Sequence, residues 1–181
     1  PGAPKHPLFV SEYGQCGAVD LVRLLRRYEQ LGKEQADDAR YYRRQMDKFL
    51  GDWQDWQMGQ CWARPEDFFV ESHGNLVKLR RIGENALRAN PHLVGFSSTY
   101  PIAEQAFCGS SVANAFRELK PGLVDAAFEL AAPLRWCLFV EPVNVYRGTR
   151  VKLEAVLASE DALRPGKYPV KLQVTGPKTT R

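Results

Sequence analysis

A glutamate placed where a strand runs out is the residue of this sequence best suited to chemistry. Ser11-Glu12-Tyr13-Gly14 follows the short apolar run Leu8-Phe9-Val10. In an α/β barrel the carboxyl ends of the parallel strands form the catalytic face, and Glu12 falls at such an end. Tyr13 has a hydroxyl that could donate to the carboxylate, and Gly14 lets the chain turn sharply. A carboxylate held ionised in this way suits nucleophilic attack on an anomeric carbon. The same residue type also caps helices and pairs with arginines, so the tetrapeptide alone leaves both readings open.

The other reactive side chains are dispersed. The cysteines are Cys16, Cys61, Cys108 and Cys137, the histidines His6, His73 and His92, and no C-x-x-C occurs. Structural zinc needs ligands clustered at short spacing, so no metal site is expected and the cysteines read as isolated thiols. Cys16 lies close to Glu12 but has no histidine near it in sequence to activate it. His73 and His92 read as surface or capping residues. Trp53 and Trp56 have the spacing of a sugar platform, yet they continue an apolar helical stripe and read as core. Trp62 and Arg64-Pro65-Glu66-Asp67 sit in a loop whose aromatics suggest packing.

The elements that must position Glu12 are legible from apolar periodicity. Leu8 to Val10 reads as a buried strand. From Asp20 to about Leu31, Leu21, Leu24, Leu25 and Tyr28 share a helical face, with Gly32 as the stop. A second helix is expected over about 33–56, with Ala39, Tyr42, Met46, Phe49, Leu50, Trp53 and Trp56 as its stripe. Residues 59–72 read as irregular. Asn75 is the expected cap of a third helix, whose apolar face is Leu76, Leu79, Ile82, Ala86 and Leu87 and which ends at Asn90-Pro91. Leu93 to Tyr100 reads as a second buried strand, and Pro121 opens a short helix to about Leu130. Beyond Pro133 the period becomes two, over 135–141, 151–157 and 168–174. Turns at Arg147-Gly148 and Pro165-Gly166 make this antiparallel β structure.

Composition bounds the function class. The chain has 181 residues, a formal net charge of +4, 44% hydrophobic and 25% charged residues. That is too much apolar content for disorder and too few residues for a complete (β/α)₈ barrel of roughly 250. The apolar runs are too short to cross a membrane. Arg23, Arg26, Arg27 and Arg40, Arg43, Arg44 interleave with Glu29, Glu34, Asp37, Asp38 and Asp47, the pattern of a solvated helix face. No RNA or DNA motif accompanies them, so no nucleic-acid partner is expected.

Phe9-Val10-Ser11-Glu12-Tyr13-Gly14 resembles the seventh-strand nucleophile segment of glycoside hydrolase family 2, the β-galactosidase, β-glucuronidase and β-mannosidase family. The resemblance continues in order. Residues 86–96 look like the helix and eighth strand of that barrel. Phe107-Cys108-Gly109 and residues 115–121 look like the loop and helix that close it. Trp136 onward lies where the family has an immunoglobulin-like sandwich. The resemblance implies an α/β fold, a partial (β/α)₈ TIM barrel contributing its last two β/α units over 1–132. A partial antiparallel β-sandwich would follow over 134–181. It implies a retaining glycosidase acting on β-linked O-glycosides of a carbohydrate substrate, without a cofactor. Glu12 would be the nucleophile, with Tyr13, Thr99, Tyr100 and Glu104 facing the substrate.

Two departures matter. The family's acid/base is a Glu preceded by Asn, and no Asn-Glu pair occurs in these 181 residues. The chain is therefore expected to be the last part of a larger enzyme, inactive alone and aggregation-prone. Many relatives also carry a Trp and then an acid after the eighth strand. This sequence has Tyr100 and Glu104 there. The departure motivates an alternative, a non-catalytic carbohydrate-binding protein on a degenerate barrel. A basic helical scaffold over 20–90 is the third reading.

Overall fold

The computed structural model describes residues 6–14, 17–98, 109–173 and 175–176. The first strand, β1 (Leu8–Tyr13), pairs in parallel with β2 (Leu93–Ser98), and three helices intervene: α1 (Leu21–Gln30), α2 (Asp37–Asp55) and α3 (Pro65–Ala89). Parallel neighbours require such a crossover, because their ends lie too far apart for a tight turn. A fourth helix, α4 (Leu123–Ala131), leads into the antiparallel hairpin β3 (Leu134–Glu141) and β4 (Lys152–Ser159).

Helix α1 forms as its sequence directs. Asp20 caps it, its Oδ1 accepting from the Arg23 backbone N–H at 2.9 Å, and Gly32 ends the following turn with φ +61°. Leu21, Leu24 and Leu25 turn inward onto Tyr42 of α2 and Phe69 of α3, joined by Val19. These residues form the main apolar core. Replacing Asp20 by Ala leaves an N–H of the first turn without its side-chain acceptor. Loss of about 1 kcal/mol of stability is expected in denaturant unfolding, with the unfolding slope unchanged.

Helix α3 departs from expectation at both its start and its face. It begins at Pro65, ten residues before Asn75, and residues 65–72 are therefore helical. Proline at the first helical position needs no N–H partner. The Asp67 carboxylate accepts from the Arg64 backbone N–H at 3.1 Å and pairs with its guanidinium at 3.0 Å. The buried residues of the helix are Phe69, Leu76, Arg80 and Glu84. Leu79 of the expected apolar face is 51% exposed, and Ile82 is exposed with it. The docking of α4 and the hairpin selects the 76–80–84 row over the more apolar one.

The strands also differ from the buried strands expected. Phe9 is 62% exposed and Leu8 and Val94 are exposed too, and β1 and β2 pair only with each other among the described residues. The Tyr168–Leu172 alternation forms no strand in the described residues. Period-two patterning supplies β propensity, but a strand also needs pairing, and among the described residues this segment pairs with neither edge of the β3–β4 hairpin. In this hairpin Cys137 is fully buried against the helical side, while Trp136, Leu138, Val140, Leu153 and Leu157 stay exposed. Trp136 lies opposite Leu157 and Val140 opposite Leu153, so they share one apolar face. Exposed apolar faces drive association. The double substitution Leu138→Lys and Val140→Lys is expected to reduce self-association in analytical ultracentrifugation.

Helix α3 joins the two parts. The Asn85 amide donates to the Leu138 carbonyl at 3.0 Å and its oxygen accepts from Arg135 at 2.6 Å. The Arg88 guanidinium donates to the Ala132 carbonyl at 2.9 Å and pairs with Glu160.

Candidate functional site

Glu12 is the fifth of six residues of β1, and its side chain is exposed. The β1–β2 pairing is irregular between Val10 and Tyr13 before it resumes at Tyr13 opposite Ser98. Glu12 thus lies inside a register shift, a feature that re-aims side chains. Among the described residues its carboxylate makes no hydrogen bond or ion pair. The register brings the carboxyl ends of β1 and β2 side by side, and Thr99 and Tyr100 follow β2 directly in sequence. Thr99, Tyr100 and Glu104 lie outside the described residues, as do Cys16 and Cys108.

Tyr13 reaches from the strand to α3. Its hydroxyl donates to the Arg80 backbone carbonyl at 3.1 Å, and its ring meets Phe96 of β2 edge-on at 6.2 Å between centroids. The single phenolic proton is spent on α3. Tyr13 therefore fixes the carboxyl end of β1 against the helix and the neighbouring strand, and its influence on Glu12 runs through the backbone.

The segment after Glu12 is pinned by close backbone approach. Gly109 donates its N–H to the Gly17 carbonyl at 3.0 Å, and a Cβ there would lie 2.6 Å from the Ala18 carbonyl oxygen. The Lys120 ammonium donates to the Gly109 carbonyl at 2.8 Å, and Arg80 donates to the Ser110 carbonyl at 2.7 Å. Glu118 accepts from the Asn114 amide and pairs with Arg23 at 2.9 Å. Those contacts hold its carboxyl below the usual carboxylate range, the Asn114 hydrogen bond foremost. The arginine row of α1 is thus partly structural rather than only solvated.

The remaining candidates resolve into packing. The Trp53 ring packs at a tilt against Phe49 and Trp62, and Trp62 donates to Glu71 at 2.6 Å. Trp56 breaks the pattern. It caps α2 instead of continuing its stripe and is 72% exposed. His73 bonds the Pro121 carbonyl at 3.0 Å through Nε2, and the His92 N–H donates to the Asn90 side chain at 3.0 Å. Among the described residues no group of three His, Cys, Asp or Glu side chains could hold a metal, and no helix is long and apolar enough to cross a membrane.

Sequence reasoning missed Glu84. The residue is fully buried, and among the described residues neither carboxylate oxygen accepts a hydrogen bond. Burial pushes its carboxyl up from 4.5 to about 7, against the pull of the Arg80 and Arg135 guanidiniums. On a helix that also carries Arg80, Arg81 and Arg88, such a residue reads as a solvated charge. Nothing local marks it as buried.

No protein-family model, curated protein or solved structure matches this chain. The likeness to glycoside hydrolase family 2 stands on the quoted residues alone.

Proposed function

We propose that this chain carries the nucleophile half of a retaining glycoside hydrolase. The observation that carries the reading is the exposed Glu12 carboxylate near the carboxyl end of β1, beside the carboxyl end of a parallel neighbour. Crevices at the carboxyl ends of parallel strands are where α/β folds bind substrates.

The chemistry is a double displacement. An oxygen of Glu12 attacks the anomeric carbon, and the glycosidic C–O bond breaks. The departing oxygen takes a proton from a second carboxylic acid, which the retaining mechanism sets about 5–5.5 Å from the first. That carboxylate then removes a proton from water, the water oxygen attacks the anomeric carbon, and Glu12 is released with net retention. These 181 residues contain no Asn-Glu pair of the kind the resemblance implies for the acid/base, so that second carboxyl is proposed to be supplied from outside them. Thr99, Tyr100 and Glu104, which follow β2, are proposed to contact the sugar. Tyr13 acts as a positioning residue through its bond to Arg80. The test is hydrolysis of aryl β-glycosides by the polypeptide that carries both carboxylates, wild type against Glu12→Gln. The wild type is expected to turn over and the variant is not. Equal hydrolysis by both removes Glu12 from the mechanism.

A further inference from the structure

A pocket of about 470 Å³ lies among α1, α2 and α3. That volume falls within the range of ligand sites, roughly 300–1,000 Å³. Its walls are aromatic, with Tyr41, Phe49, Phe68 and Phe69 backed by the main core. Trp56 stands at its border and is exposed, making no ring contact among the described residues. Burying an indole against an apolar surface is favourable, so an exposed Trp bordering an aromatic pocket forgoes that gain unless something covers it.

The polar complement is equally specific. Gln45, Lys48 and Asp52 line the same pocket from one face of α2, spaced three and four residues apart. None of these three side chains makes a hydrogen bond or ion pair with the described residues. The site therefore offers an amide, an ammonium and a carboxylate, all unengaged, next to an aromatic wall. An acidic or basic ligand would meet one like charge at such a site. A neutral polyhydroxylated ring meets none. Its C–H face would lie on the indole, and its hydroxyls would donate to Asp52 and Gln45 and accept from Lys48 and Gln45.

We infer that this pocket is a sugar-binding site, separate from Glu12, that takes a neutral pyranose ring with Trp56 as its platform. The inference deepens the glycosidase reading by giving the chain a contact for a carbohydrate, and it shares no residue with the proposed catalytic set.

The test uses methyl β-D-pyranosides of galactose, glucose and mannose as probes, in saturation-transfer NMR titrations of the full chain. It is run in wild-type and Glu12→Gln forms so that turnover does not deplete the probe. At least one probe is expected to bind, equally in both forms. Trp56→Ala is expected to weaken it about tenfold, and Trp56→Phe to retain most of it. Asp52→Asn is expected to weaken it less than Trp56→Ala does. Trp56 is largely exposed, so its replacement leaves the core intact, and an unchanged unfolding midpoint documents this. Absence of binding by all three probes, or binding unaltered in Trp56→Ala, overturns the site. Failure here leaves the Glu12 assignment standing. Hydrolysis retained in Glu12→Gln overturns that assignment and leaves the pocket standing.

Discussion

Glu12→Gln is expected to lower turnover of aryl β-glycosides by a factor on the order of 10⁴ or more, the scale seen when a covalent nucleophile is removed. The amide is nearly isosteric, so substrate contacts survive and KM changes little. What disappears is the negative charge that, on the proposed mechanism, attacks the anomeric carbon. Glu12 is exposed and without a bond to the described residues, so the substitution costs no packing and the unfolding midpoint stays in place. A structural Glu12 gives the opposite split, with a lowered midpoint and turnover of whatever protein remains folded. A small external nucleophile such as azide, if it rescues turnover of a Glu12→Ala variant with inversion at the anomeric carbon, identifies the missing group as the nucleophile.

The second large effect concerns stability. Glu84 is fully buried between α3, α4 and β3, and burial raises its carboxyl from 4.5 to about 7. Arg80 and Arg81 on its own helix and Arg135 on β3 oppose the shift, while Glu129 on α4 adds to it. Between about pH 4.5 and 7 the folded chain holds a proton that the unfolded chain releases. Stability from this group is therefore fully present below 4.5 and is lost as pH rises to about 7, by up to roughly 3 kcal/mol. Glu84→Gln keeps the shape and removes the titration. Urea unfolding at several pH values is expected to show the variant gaining on the wild type across that window. Wild type and variant with the same pH slope would contradict the assignment. The depressed carboxyl of Glu118 pulls the other way, but it is common to both proteins and cancels in the comparison.

These two residues mark what a sequence can and cannot disclose. The place of Glu12 near a strand end is legible because the apolar run and the following Gly14 are local features. Glu84 is not, because its burial is imposed by α4 and β3, more than thirty residues further along the chain. The same division runs through the fold. Asp20 and the 21–24–25 spacing write α1 directly into the chain. Pro65-Glu66-Asp67 also writes a helix start, a proline at the first position with acids behind it. The aromatics around it obscure that signal, and the expected boundary falls at Asn75. The apolar stripe of α2 turns inward at Ala39, Tyr42, Met46, Phe49 and Trp53, whereas Leu50 is exposed and the helix ends before Trp56 can join it. Tyr168 to Leu172 has the alternation of a strand but no partner among the described residues. Propensity is a property of the segment, whereas pairing is a property of the fold.

The alternation of roles along Ser11–Gly14 has a mechanistic consequence. Tyr13 bonds α3 through the Arg80 carbonyl, and the Arg80 guanidinium bonds the Ser110 carbonyl. The carboxyl end of β1 is therefore tied to the 109–120 segment through one arginine, while Glu12 itself is left exposed. On the proposed reading, a fixed backbone and an unencumbered carboxylate are what a nucleophile at Glu12 requires.

The most direct measurement of the central claim is covalent trapping. A 2-deoxy-2-fluoro β-glycoside with a fluoride or dinitrophenolate leaving group slows release of the glycosyl-enzyme more than its formation. It is to be applied to the polypeptide carrying both carboxylates, followed by peptide mass spectrometry. The account predicts a single fluoroglycosyl adduct on the peptide containing Ser11-Glu12-Tyr13-Gly14, absent in Glu12→Gln. An adduct on any other residue, or rapid hydrolysis to an inverted product with no adduct, contradicts it.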